Sequence, residues 1–370
     1  MISMEGGRVE ESIGELRRTF RSGKTRSAAW RKAQLKALLQ LIRDNEDKIF
    51  EALKHDLGKN PVESYRDELG VVEKSVKYSL SHVDEWMAPK KSSMPLIFFP
   101  ARGQVLPEPL GLVLIFSSWN FPISLALDPV IGAISAGNSV VLKPSEQAPA
   151  CSSFLANTIP LYLDSKAIKV IEGGAEISQQ LLQQKWDKIF FTGSPSVARI
   201  VMSAAVKHLT PVTVELGGKC PTIFDYLSSP SDTEVAVKRV VGGKWGPCNG
   251  QACIGVDYVL VEEKFAFHLV LVNVTIHCQL LCSHASLNLV WQRLVGMASM
   301  FNLCSLVFLL SQIEMLKKTI KKFYGENPKQ LKDISRIVNK HHFQRLRNLL
   351  EEPLVAASIV HGGLIDEEKL

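Results

Sequence analysis

The sequence has no large excess of charge of either sign. Its 43 Lys and Arg residues are opposed by 37 Asp and Glu residues, which gives a formal net charge of +6 over 370 residues. A nucleic-acid-binding protein concentrates basic charge on one face or in one segment. The composition lacks such a field and therefore predicts a soluble globular protein that does not bind nucleic acid.

The sequence also lacks the usual marks of export. Its 7 cysteines are odd in number and irregularly spaced, in a chain far longer than proteins built on a disulfide framework. The N-terminal residues include no apolar stretch of signal-peptide length. These features predict a reducing compartment and a cytoplasmic protein.

A third absence concerns nucleotide-binding fingerprints. The sequence contains neither Gly-x-Gly-x-x-Gly nor a Walker A lysine motif. A nucleotide site in this chain would have to be built from other residues.

Helical patterns occupy the first hundred residues. Apolar residues recur at helical spacing from Leu35 to Leu57, and Gly58 is expected to end the stripe. A second helix is predicted over residues 67–86.

Short apolar runs alternate with helix-compatible segments further along the chain. The predicted strands are Gly111–Phe116, Asn138–Leu142, Ala167–Ile171 and Lys188–Phe191. This alternation predicts an α/β fold with a doubly wound parallel sheet. In such a sheet, ligands bind beyond the carboxyl ends of the strands.

Two polar segments follow predicted strands directly. Lys143 to Glu146 offers a lysine and an acid to ribose hydroxyls, and Thr192-Gly193-Ser194 precedes a helix expected to begin near Pro195. The N-terminus of a helix suits phosphate oxygens. Taken alone, each segment is more typical of an ordinary strand-to-helix connection, so the residues by themselves leave both interpretations open.

A thiol and an acid lie in glycine-containing strings that predict exposed turns. Gly-Gln-Ala-Cys ends at Cys253, and Glu-Leu-Gly-Gly-Lys begins at Glu215. Covalent catalysis at a carbonyl needs a thiolate to attack and a carboxylate to activate water. Alternatives remain: Cys253 as a small packed residue, Glu215 as a turn cap, or a regulatory disulfide between Cys248 and Cys253.

Four strings together resemble the aldehyde dehydrogenase superfamily, most closely the plant enzymes of its class 3 branch. Beside the two strings above, they are Trp-Asn-Phe-Pro at 119–122 and Lys-Pro-Ser-Glu at 143–146. The resemblance implies oxidation of aldehydes to carboxylic acids with NAD or NADP, and a homodimer. It also implies N-terminal helices and a Rossmann-like NAD(P)-binding domain over 1–208, followed by an α/β catalytic domain over 209–370.

The resemblance also implies a role for each site residue. Cys253 would be the nucleophile, Glu215 would activate the hydrolytic water, and Asn120 would stabilise the oxyanion together with the Cys253 backbone N–H. The residues implied in cofactor binding are Lys143, Glu146, Thr192, Gly193 and Ser194. No metal is expected.

The chain departs from the family pattern between residues 267 and 312. Arg293 is the only Lys, Arg, Asp or Glu residue from Phe265 to Gln312. We interpret this block as an insertion, resembling translated intron, within a helix that resumes at Ile313.

This block leaves two further interpretations. Leu294–Leu310 has no charged side chain and approaches the length of a membrane helix, so membrane association is an alternative. His277, Cys278, Cys282 and His284 are clustered, but their spacing matches no common zinc motif.

The resemblance further implies that family members continue beyond the position of Leu370. The expectation is therefore an incomplete catalytic domain and a weakened dimer. The alternative function is a catalytically impaired product that acts only as a binding partner of full-length subunits.

Overall fold

The computed structural model describes residues 6–224, 230–261, 303–325, 331, 334–359, 361–363 and 365. The chain divides into two compact units: the first comprises Met1–Asp56 and Pro61–Leu216, and the second Leu57–Asn60 and Gly217–Leu370. The boundary at 208/209 stays a prediction.

The first unit contains a parallel sheet, a separate hairpin and the surrounding helices. Its helices are α1 (Gly6–Arg21), α2 (Ala28–Asp44), α3 (Glu46–Leu57, which ends in the second unit), α4 (Pro61–Ser64), α5 (Gly70–Met87), α6 (Ser124–Ser135), α7 (Pro149–Tyr162), α8 (Ala175–Gln183) and α9 (Pro195–Val206). Its strands are β1 (Lys90–Ser92), β2 (Gly103–Val105), β3 (Leu112–Phe116), β4 (Ser139–Lys143), β5 (Ile168–Val170), β6 (Lys188–Gly193) and β7 (Val212–Leu216).

The strand order confirms the predicted doubly wound α/β sheet. The sheet runs β5-β4-β3-β6-β7, and every neighbouring pair is parallel. From β3 the chain adds β4 and β5 on one side, then returns to add β6 and β7 on the other. The switch in direction lies between β3 and β6, where doubly wound sheets bind ligands.

Alternate strand residues face two hydrophobic cores. On β3, Val113 and Ile115 pack in the core that α2, α6 and α7 cover, whereas Leu112, Leu114 and Phe116 pack in the core that α1, α8 and α9 cover. Because both faces of the strand are covered, β3 is a continuous apolar run rather than an alternating pattern.

The N-terminal helices differ from the prediction in one detail. The apolar stripe from Leu35 to Leu57 forms two helices, because the chain leaves the helical conformation at Asn45 (φ −125°). Gly58, with φ 67°, ends the second helix as predicted. The second predicted helix is confirmed as α5, preceded by a π-helical segment over Tyr65–Leu69.

The described part of the second unit contains a parallel strand pair and several helices. Its elements are β8 (Pro221–Phe224), α10 (Pro230–Trp245), β9 (Tyr258–Val261), α11 (Leu303–Tyr324), α12 (Lys340–Leu350) and α13 (Pro353–Ala356). Helices α10 and α11 pack through a small apolar core that includes Val241, Trp245, Leu316 and Ile320.

Much of the predicted insertion lies outside the described residues. Residues 262–302, which include the His and Cys cluster and the first half of the apolar stretch 294–310, are not described. Helix α11 begins at Leu303, before the predicted resumption at Ile313. Of the helices that the structure describes, none is both long and apolar enough to cross a membrane.

A partly buried network around Asp164 predicts acid sensitivity. The carboxylate accepts hydrogen bonds from the Trp30 indole at 3.1 Å and pairs with Lys24 at 2.6 Å. Partial burial acts to raise the pKa of Asp164, but the bonds from Lys24 and Trp30 outweigh it and lower the pKa overall. A lowered folded-state pKa stabilises the protein above the ordinary Asp pKa of about 4, and this contribution is lost as the pH falls through the folded-state value.

We therefore expect Asp164→Asn to lower the Tm at pH 7, with the difference from the wild type shrinking as the pH falls below about 4. Thermal unfolding followed by circular dichroism at a series of pH values measures this. Asp84→Asn is the control, because Asp84 pairs with Lys32 while 67% exposed. A Tm difference that stayed constant down to the lowest pH would contradict the prediction.

Candidate active site

The strand ends of the first unit bring most of the predicted site residues to one edge of the sheet. Phe116 on β3 pairs with both Lys143 on β4 and Phe191 on β6, and Thr192 pairs with Glu215 on β7. Because these strands are parallel, their carboxyl ends share one edge. The predicted residues at or just after these ends are Asn120, Lys143, Glu146, Thr192, Gly193, Ser194 and Glu215.

Asn120 lies in the loop between β3 and α6 and is 7% exposed. Its Oδ1 accepts a hydrogen bond of 2.7 Å from the Ser118 hydroxyl. With the oxygen held in this way, the amide nitrogen is the group that can donate to a negatively charged oxygen. A buried amide with a fixed orientation is suited to stabilising an oxyanion.

A buried carboxylate caps the helix at the end of the Asn120 loop. Glu68, which is fully buried, accepts hydrogen bonds from the backbone N–H groups of Ile123 at 3.2 Å and Ser124 at 2.7 Å. N–H groups at the start of a helix have no acceptor within the helix, and its dipole favours a negative charge there. Glu68 is therefore a positioning residue for the loop, and it was missed in the sequence.

Lys143 and Glu146 form an ion pair at the end of β4. The Lys143 side chain is 5% exposed, whereas that of Glu146 is 48% exposed. An ammonium and a carboxylate side by side offer the donors and acceptors that ribose hydroxyls require. The following helix α7 is also capped by a carboxylate, since Asp56 accepts hydrogen bonds from the backbone N–H groups of Ala150 and Cys151 at 3.1 and 2.8 Å.

Thr192, Gly193 and Ser194 lead from β6 into α9, which begins at Pro195 as predicted. The Thr192 Oγ1 atom is buried and has no hydrogen-bond partner in the part of the chain that the structure describes. Ser194 caps α9, with its hydroxyl accepting from Val197 N at 3.4 Å. A Cβ at Gly193 would lie 2.7 Å from the Phe191 ring, so the turn favours glycine.

The donors and acceptors at this edge fit the polar parts of a dinucleotide. The N-terminus of α9 and the buried Thr192 hydroxyl can meet phosphate oxygens. The pair Lys143 and Glu146 can meet ribose hydroxyls. The edge therefore has the chemistry to hold such a cofactor without a glycine fingerprint.

Glu215 lies in the strand β7 rather than on the predicted turn. It is one residue from the end of β7, pairs with Thr192 in the ladder and is exposed. An exposed carboxylate at a strand end has access to water, which a general base requires.

Cys253 belongs to the second unit, where it is exposed. It follows a turn in which Cys248, Asn249 and Gly250 have φ values of 48°, 45° and 86°. Non-glycine residues in this conformation cost about 1–3 kcal/mol each and persist only where their surroundings hold them.

Two amide side chains hold this strained turn. Asn249 Nδ2 donates to the carbonyl oxygen of Ser335 at 3.2 Å, and Gln251 Nε2 donates to that of Arg336 at 2.9 Å. Cys248 is fully buried. The anchor at 335–336 was missed in the sequence, because the acceptors are backbone oxygens, which any residue type supplies, and the contacts span 86 and 85 positions.

Comparison with known proteins agrees with the motifs. A family model described as "Aldehyde dehydrogenase family" matches residues 4–274. The chain belongs to the aldehyde dehydrogenase family.

The similar curated proteins include plant members of family 3, which confirms the predicted branch. Aldehyde dehydrogenase family 3 member F1 of Arabidopsis thaliana is 54% identical over 98% of this chain and 66% of its own length. Member H1 of the same plant is 44% identical over 97% of this chain and 64% of its own length. The chain thus spans less than two thirds of either relative.

Solved structures agree with the fold. The substrate-bound state of Staphylococcus aureus AldH is 35% identical with a TM-score of 0.81, covering 98% of this chain and 68% of that one. An aldehyde dehydrogenase of Mycobacterium tuberculosis complexed with NAD+ shares the fold at 23% identity, with a TM-score of 0.62, over 72% of this chain and 54% of that one.

The capping role of Glu68 predicts a large loss of stability when its carboxylate is removed. Glu68→Leu should lower the free energy of unfolding by about 3 kcal/mol, because two buried N–H groups lose a charged acceptor. Glu68→Gln keeps one acceptor oxygen and should lose less. Urea denaturation measures both values, with Glu85→Leu on the exposed side of α5 as the control. Equal effects of Glu68→Leu and Glu85→Leu would contradict the capping role.

Proposed function

We propose that this chain oxidises aldehydes to carboxylic acids with NAD or NADP, using Cys253 as the nucleophile. The observation that carries the proposal is the strained turn before Cys253. The side-chain amides of Asn249 and Gln251 hold this turn, while the thiol of Cys253 is exposed. Strain held at one position is common where a side chain must be presented to a substrate. Membership of the family and the position of the motif support the same role.

The cofactor would lie at the carboxyl edge of the first unit. Lys143 and Glu146 would hold ribose hydroxyls, and Thr192, Gly193 and Ser194 would line the phosphates at the start of α9. The relative from Mycobacterium tuberculosis that is complexed with NAD+ supports a nicotinamide cofactor. When bound, NAD or NADP supplies the acceptor for the hydride that leaves the aldehyde carbon.

The first step assigned to the protein is nucleophilic attack. The Cys253 thiolate forms a carbon–sulfur bond to the aldehyde carbon, and the carbonyl oxygen gains the negative charge. The side-chain amide of Asn120 and the backbone N–H of Cys253 would donate hydrogen bonds to this oxygen. Loss of one such donor typically costs about 3 kcal/mol of barrier, so the orientation of Asn120 by Ser118 matters for the rate.

The second step is hydrolysis of the thioester on Cys253. Glu215 would accept a proton from a water molecule as that water attacks the acyl carbon. The carbon–sulfur bond then breaks, the thiolate of Cys253 is restored, and the carboxylic acid leaves. The exposure of Glu215 at a strand end supports this role.

The location and assembly belong to the same proposal. A thiolate nucleophile is preserved in a reducing compartment, which supports a cytoplasmic location. The resemblance to the class 3 branch supports a homodimer as the proposed assembly.

Cys253→Ala should abolish aldehyde oxidation, because no other residue in the chain has the Gly-Gln-x-Cys frame. Cys248→Ala is the matched control and should retain at least part of the activity. The measurement is NAD(P)H absorbance in the presence of an aliphatic aldehyde. An inactive Cys248 variant beside an active Cys253 variant would overturn the assignment. A wild-type chain with no activity would favour the binding-partner alternative.

Glu215→Gln should slow deacylation by about 100-fold or more while leaving acylation nearly intact. Rapid mixing should then show a burst of NAD(P)H followed by a slow steady rate, because acyl-enzyme accumulates. Glu108→Gln, at a surface carboxylate that is 61% exposed, is the control and should show no burst beyond that of the wild type. Equal slowing of both phases would mean that Glu215 has a structural role instead.

A further inference from the structure

A second cysteine lies beside Cys253 in the same unit. The sulfur of Cys220 is 3.4 Å from the carbonyl oxygen of Cys253 and 3.7 Å from that of Gly218. Cys220 is half-buried and Cys253 is exposed. A Cβ placed on Gly217 would lie 4.0 Å from the Cβ of Cys253, so the segment 217–220 runs along the nucleophile.

Contacts beside Cys220 and on the C-terminal side of Cys253 hold the segments of the two cysteines close together. Cys220 directly precedes β8, whose first residue Pro221 pairs with Tyr258 at the start of β9. Asp257 donates its backbone N–H to the carbonyl oxygen of Cys220 at 2.9 Å, and its carboxylate pairs with Lys219 at 2.6 Å. The two segments that carry the cysteines are therefore tied together by a strand ladder, a hydrogen bond and an ion pair.

The other nearby cysteine is held differently. Cys248 is fully buried, and Gln251 Nε2 lies 3.1 Å from its carbonyl oxygen and 3.6 Å from its sulfur. Its left-handed backbone is part of the anchored turn. Cys248 is thus fixed inside the anchored turn, whereas the Cys220 sulfur already lies 3.4 Å from a backbone atom of Cys253.

We propose that Cys220 is a resolving thiol that forms a reversible disulfide with Cys253 when the protein meets a peroxide. The consequence for catalysis rests on the proposed role of Cys253, but formation of the bond does not. The Cys253 thiolate attacks a peroxide oxygen, becoming a sulfenic acid and releasing hydroxide or alkoxide. The Cys220 thiolate then attacks the Cys253 sulfur and displaces hydroxide, so that two thiols are oxidised and the peroxide is reduced.

This disulfide would protect the nucleophile. A sulfenic acid that finds no thiol is oxidised further to sulfinic acid, which ordinary thiols do not reduce. A disulfide is reduced by a dithiol, and the Cys253 thiolate returns. The pair would thus switch the enzyme off under peroxide and permit recovery afterwards.

Digestion with trypsin distinguishes a disulfide between Cys220 and Cys253 from one between Cys248 and Cys253. Cleavage after Lys219 and Lys238 places Cys220 on one peptide, and cleavage after Lys244 and Lys264 places both Cys248 and Cys253 on another. The purified full chain is treated with hydrogen peroxide, alkylated, digested without reductant and analysed by mass spectrometry. We expect the two peptides joined through Cys220 and Cys253, and separated again by dithiothreitol.

Two variants complete the test. Cys220→Ser should lose the cross-link and accumulate Cys253 sulfinic acid, with activity after dithiothreitol at least tenfold below that of the treated wild type. Cys248→Ser should keep the cross-link. A bond between Cys248 and Cys253, or wild-type Cys253 passing to sulfinic acid without any cross-link, would overturn the proposal. A cross-link in a chain without aldehyde oxidation would instead count against the proposed function alone.

Discussion

The parallel pairing of β3 with β6 is the constraint on which the first unit depends. It sets the point where the sheet changes its direction of growth, and it brings the ends of β4, β3, β6 and β7 to one edge. Both faces of β3 must be apolar because helices cover each of them. The candidate cofactor residues lie instead at or just after the carboxyl ends of β4 and β6.

Buried carboxylates then fix the helices that begin near this edge. Glu68 caps α6 beyond the Asn120 loop, and Asp56 caps α7 beyond Lys143 and Glu146. Each carboxylate comes from a distant part of the chain and meets N–H groups that the helix itself cannot satisfy. The site is positioned by these contacts as much as by the sheet.

Local sequence patterns predicted four strands of the parallel sheet, but neither β7 nor the contacts that support the candidate site. The strands β3, β4, β5 and β6 were predicted because local apolar runs and turn residues define them. Glu68 and Cys220 were missed because the roles given to them rest on contacts with distant parts of the chain, which local patterns do not contain. Ser118 was missed because its bond to Asn120, two residues away, depends on the conformation of the loop. The break at Asn45 was missed because the apolar stripe continues past it.

The anchors of the Cys253 turn also determine when this part of the protein can be completed. Asn249 and Gln251 bond to backbone oxygens 86 and 85 positions further along the chain. During synthesis from the N-terminus, the thiol therefore emerges from the ribosome well before the groups that hold its turn. Until Ser335 and Arg336 have followed, the two bonds that help to offset the cost of the left-handed backbone at Cys248 and Asn249 cannot form. In the nascent chain, the cysteine that the finished protein buries is as accessible to oxidants as the one that it exposes.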